Sequence, residues 1–179
     1  MYISKFAVVF ALVGSALAAP IANANNDGQI GKRATARSFA ELTISSGKAG
    51  NAAAEARAKF PTPADLSAVS ADDLEVLKTE RETAEAAETE AFNPAIDDTD
   101  DDATKQALQN GKIKNKVLKL TAEVLALQIE QAQGKDVTDK LAEEQAKLQK
   151  NIQLDQEAAG QASQTVEFDG DGSDDDDDD

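Results

Sequence analysis

Cysteine, histidine and tryptophan are all missing from the 179 residues. Without cysteine there are no disulfides, thiol nucleophiles or thiolate metal ligands, and without histidine the usual acid/base group near neutral pH is gone. Aromatics make up only 4% of the chain, and 18 cations stand against 34 acids for a formal charge of −16. That balance opposes binding to nucleic acid or to anionic membranes, both of which demand neutralising cations. Paired carboxylates remain as a catalytic resource, but they work only in a rigid pocket that separates their pKa values, and no pattern points to one. The expectation is therefore a non-enzyme with no catalytic, cofactor-binding or metal-binding residues. Alternating Val, Ile and Thr runs between turn signals are also lacking, which argues against strands.

What is present begins with a targeting pattern. Lys5 precedes an unbroken apolar stretch from Phe6 to Val13, and Ala16-Leu17-Ala18 has the small-x-small form of a signal-peptidase site. The run is too short to cross a bilayer, so residues 1–18 read as a secretory signal. Residues 19–33 are small, polar and Asn-rich and end in Lys32-Arg33, a dibasic site for kexin-like proteases in an exposed linker. Cleavage there gives a mature chain starting at Ala34. Losing Lys5, Lys32, Arg33 and Asp27 with the leader takes the formal charge from −16 to −18. The aspartate-rich C-terminus is the opposite of a lipid-anchor signal, so the expected location is extracellular, with no stable membrane insertion.

The remainder reads as an all-α domain over 34–166, a single small bundle of three to four main helices, followed by an acidic, disordered tail over 167–179. Ser45 or Ser46 is a candidate cap for a short Ala-rich helix ending at Pro61, and Thr62-Pro63-Ala64-Asp65 repeats the start signal. Ser70 with Asp73 three residues on predicts a helix from about Ala71 to Ala91, with Leu74, Leu77, Ala84 and Ala91 on a thin apolar stripe and glutamates crowding the rest. Phe92-Asn93-Pro94 reads as a break, followed by an acidic connector from Asp97 to Asp102. The clearest periodicity is Ile113, Val117, Leu120, Val124 and Leu127, broadened by Leu118, Leu125 and Ile129, which predicts the central helix. Gly134 stops it, Asp136 is the expected cap of the next helix, and Val137, Leu141, Leu148 and Ile152 form that helix's apolar face, with Ala142, Ala146 and Ala159 beside it.

Three clusters invite a functional reading. Asp169, Asp171 and Asp174 resemble the first half of a calcium loop, but the closing acid would fall beyond Asp179, so a solvated tail is the expectation. The acids of 97–102 read the same way. Lys112, Lys114, Lys116 and Lys119 form a basic cluster without stacking aromatics, expected to be the solvated face of the central helix. Phe39, Phe60, Phe92 and Phe168 are expected to lock segment ends onto the bundle.

The segments TISSGKAGNAAAEARAKFP, SADDLEVLK, AFNPAI, LQNGKIKNKVLKLTAEVLALQIEQAQGKD and LAEEQAKLQKNIQLDQEAAGQAS resemble an uncharacterised family of small secreted proteins from filamentous ascomycete fungi. The resemblance implies an extracellular protein with a shared architecture and carries no catalytic residues. The functional expectation is a secreted interaction protein whose partner is an extracellular protein or cell-wall component, of unknown oligomeric state. The alternatives are a carrier of a small apolar ligand, or weak divalent-cation buffering by the aspartates.

Overall fold

The computed structural model describes residues 35–170, so the signal, the dibasic site and the aspartates after Gly170 lie outside the described residues. The chain is all-α, as expected: helices α1 (Phe39–Leu42), α2 (Ala52–Lys59), α3 (Ala71–Ala86), α4 (Asn93–Asp97), α5 (Asp102–Ala132) and α6 (Thr138–Glu157), with two-residue strands β1 (Gly47–Lys48) and β2 (Ala162–Ser163). The strands pair antiparallel, Gly47 with Ser163 and Lys48 with Ala162. This small clasp has no propensity signal in the sequence.

α5 is the axis of the molecule. Along one side Val117, Leu118, Ala122, Leu125, Ala126 and Ile129 form the main core with residues from α2, α3 and the Leu42–Ile44 stretch. On the other side Val124 and Leu127 meet Leu141 of α6 in a smaller cluster. The periodic seam seen in the sequence is therefore real but divided. Val117 belongs to the main core, Val124 and Leu127 to the α6 contact, and Ile113 is only half-buried. The helix also starts well before its apolar pattern, because the carboxylate of Asp101 in the acidic connector accepts the Thr104 amide at 2.8 Å and caps it.

Ser70 caps α3 as predicted, accepting the Asp73 amide at 3.1 Å. The expected break at Phe92-Asn93-Pro94 is not there. After Ala86 the helix widens into a π turn over Ala87–Phe92, with the Asn93 amide reaching the Glu88 carbonyl, and continues directly as α4. Pro94 sits in the first turn of α4, so its missing donor and its ring fall where the hydrogen-bond register is already changing. The chain instead turns at the acidic residues between Asp97 and Asp102.

Two expected helix starts also move. α2 begins at Ala52 with Asn51 before it, not at Ser45 or Ser46. Gly47 and Gly50 adopt positive φ, 89° and 113°, and hold the intervening residues out of helix. The Thr62-Pro63 signal yields only a 3-10 turn, Leu66–Ala68, capped by Asp65 through the Ser67 amide at 2.9 Å. At the far end of α5, Gly134 (φ 91°) closes the helix as predicted, with the Lys135 amide on the Glu130 carbonyl. Val137, not Asp136, precedes α6 and packs in the small cluster. The apolar face of α6 is as expected, but Ala142, Ala146 and Ala159 are exposed.

Candidate interaction surface

Polar side chains in register with the apolar stripes build the site's frame. On α3, Glu80 falls one turn after Leu77 and is 1% exposed. It receives Arg37 through Nε at 2.7 Å, Nη2 at 2.7 Å and the backbone amide at 3.1 Å, and the guanidinium also lies 5.2 Å over the Phe60 ring. A forked donor is what two buried carboxylate oxygens require. On α6, Asp155 follows Ile152 by one turn, is 1% exposed, and accepts the amides of Gly50 and Ala52, each at 2.9 Å. On α5, Lys114 precedes Val117 and Leu118 by one turn and is fully buried, ion-paired to Glu55 at 2.8 Å and donating to the Ser46 carbonyl at 3.0 Å.

The lysine cluster is thus not one solvated face. Lys114 is core. Lys116 and Lys119 both reach Glu88 at 3.0 Å, where the π turn brings that acid inward. Burial would raise the Glu88 carboxyl, but hydrogen bonds from Lys116 and Lys119 outweigh it and hold it below its ordinary value of 4.5. Lys112 donates to the Asn93 side chain.

Between α3, α5 and α6 runs a charged cleft of about 290 Å3 with Leu120 in its wall. Its cations are answered from within: Arg81 by Glu123 at 3.3 Å, Lys119 by Glu85 at 3.7 Å, Lys140 by Glu123 at 2.7 Å, and Lys147 by Glu144 at 2.9 Å. Such mutual pairing ties the helices together and leaves no concentrated field to draw a charged substrate. A pocket of about 10 Å3 beside Phe60, Leu77 and Leu125 is no more than a water site.

The C-terminal segment defines the second surface. After β2 it crosses α5, where the Gln164 amide donates to the Ala107 carbonyl at 3.0 Å and the Asn110 amide side chain donates to the Ala162 carbonyl at 2.8 Å. Phe168 then meets Phe39 edge-on at 5.9 Å, and Phe39 meets Phe92 at 6.4 Å. The expected locking role of these rings holds, and Phe60 closes the main core. Val166 and Phe168 both pack against the buried cluster of Phe39, Ala87, Phe92, Ile96 and Leu108. Asp169 is exposed, and its companions Asp171 and Asp174 lie outside the described residues. Among the described residues, no group of three or more acids is arranged to hold a metal ion. No described helix is long and apolar enough to cross a membrane.

Fold and surfaces together define a small, cysteine-free helical bundle clasped by the β1–β2 pair. Residues 34–167 match the family model described as Domain of unknown function (DUF8454), and the chain belongs to that family. No curated protein and no solved structure matches it.

The sequence reading missed Glu80, Asp155 and Lys114. The available signal was their register: each stands one turn from leucine, isoleucine or valine on its own helix's buried face. A charged residue in such a position must find a fixed partner.

Proposed function

We propose that this is a non-enzymatic interaction protein of the extracellular space or cell wall, secreted by a filamentous ascomycete fungus and matured by cleavage after Lys32-Arg33. The observation that carries this reading is the coincidence of two boundaries. The family-defining unit starts at Ala34, the residue directly after the dibasic pair. A family unit whose first residue follows a kexin-type site suits a precursor trimmed after export. Further support comes from the charged side chains of the cleft, which are consumed in pairing with one another. Groups so paired are poor candidates for moving protons to and from a substrate.

Expression in a secreting fungal host, followed by N-terminal sequencing of protein from the medium, tests the reading. A start at Ala34 is expected. A start at Ala19 would remove the propeptide step, and a chain retained in cells with Met1 intact would overturn secretion. Native mass spectrometry of the recovered material should show a protein or wall-polymer partner. A retained small apolar molecule would favour a carrier instead.

A further inference from the structure

The C-terminal segment packs on α5 at Gln164 and continues from there to Gly170. Between it, the π turn and the start of α5 is an open groove of about 850 Å3. Half-buried Val166 and Phe168, packed over the buried Leu108 and its neighbours, give it an apolar floor, and Glu90, Glu167 and Asp169 stand exposed around it. These three carboxylates differ from those of the charged cleft: among the described residues none of them is in an ion pair, and no cation lines the groove. Among the described residues, the backbone amides of Val166, Glu167 and Phe168 likewise have no acceptor. In the sequence, seven more aspartates follow Gly170, and they lie outside the described residues.

We propose that this groove receives a short basic peptide segment carrying aliphatic side chains, presented by an extracellular protein partner. This rests on the interaction reading above and gives it a site and a chemistry. Lysine or arginine side chains of the segment pair with Glu90, Glu167 and Asp169, an aliphatic side chain covers Val166 and Phe168, and peptide carbonyls meet the free amides of the lining. The aspartate run speeds encounter with a cationic segment. An apolar floor alone would take many ligands, and acidic residues alone would take any cation. The combination with an open backbone edge selects a peptide bearing both features.

Isothermal titration of the purified full chain with a synthetic peptide of alternating lysine and leucine tests the proposal. Binding is expected, weakened roughly tenfold or more by the double variant Glu90→Lys, Glu167→Lys, whose positions are exposed and leave the fold intact. A peptide of alternating lysine and serine should bind at least several-fold more weakly. Equal binding of the two peptides, indifference to the double variant, or loss of binding only on deleting Asp171 to Asp179 would overturn the groove as the site. A shift from dimer to monomer in the double variant, read by light scattering, would assign the groove to a second copy and also overturn it. If a partner from the medium binds wild type and double variant alike, the groove fails while the interaction reading stands; if no partner of any kind is found, that reading fails too.

Discussion

Gly111 lets the backbone of Gln164 lie directly on α5: a Cβ at position 111 would stand 1.9 Å from the Gln164 carbonyl oxygen. A glycine in the middle of a long helix costs about 1 kcal/mol against alanine, so a helix that keeps one there has a packing reason. Here the reason is the C-terminal segment, which completes the clasp and forms one wall of the acidic groove. Gly111→Ala should therefore destabilise the protein by about 1–3 kcal/mol despite its better helix propensity. Urea unfolding measures the loss, and limited proteolysis should find faster cleavage after Ser163. A gain in stability would mean that the segment is not held against α5.

Asp155 offers a second test of long-range capping. Its carboxylate satisfies amides at Gly50 and Ala52 from more than a hundred residues away, in place of a local cap on α2. Asp155→Ala leaves the buried Ala52 amide and the half-buried Gly50 amide without it and should cost about 2–4 kcal/mol. Asp155→Asn keeps one accepting oxygen and should fall between the alanine variant and wild type. Equal unfolding midpoints for all three proteins would show that water serves these amides as well as Asp155 does.

The sequence made the helices legible wherever one segment supplied both pattern and punctuation. Ser70 with Asp73, Gly134 and the α6 face over Leu141, Leu148 and Ile152 are local features, and each is found as expected. It misled where the deciding partner is remote. The start of α2 depends on Asp155, and the burial of Glu80 depends on Arg37, 43 residues earlier. The Pro94 break failed for a different reason, because the π turn accommodates the proline within a continuing helix. Of the groove, only the charge was readable: its walls come from residues 90–95, 108 and 164–170, which no periodicity brings together.

The pairing of Glu88 with Lys116 and Lys119 sets a pH dependence. Its folded-state pKa is held below the ordinary 4.5, so its contribution to stability is present above that value. Below it the unfolded chain takes up the proton first, and the contribution fades as pH falls toward the depressed folded value. Protonating the many unpaired surface acids acts the other way by relieving repulsion. Comparing variants isolates the pair: between neutral pH and the acid range below 4.5, Glu88→Gln should lose less stability than wild type. Chemical denaturation at matched ionic strength gives both curves, and parallel curves would remove Glu88 from the account.

Leu118 and Leu120 distinguish the main core from its flank. Both belong to the periodic pattern, but Leu118 is fully buried in the main core, whereas Leu120 is 6% exposed and borders the charged cleft. Truncating Leu118 to alanine leaves a cavity surrounded by rigid apolar neighbours and should cost about 4 kcal/mol. At Leu120 the long side chains of Arg81, Lys119 and Lys140 can close in, or water from the cleft can enter, so the cost should be about 2 kcal/mol. Urea unfolding of Leu118→Ala and Leu120→Ala at neutral pH gives the order directly. The same experiment with added salt separates the sites further, since salt weakens the ion pairs around the cleft and leaves an apolar cavity untouched. A larger loss at Leu120 than at Leu118 would place the centre of the core against α6 and contradict the division of the seam.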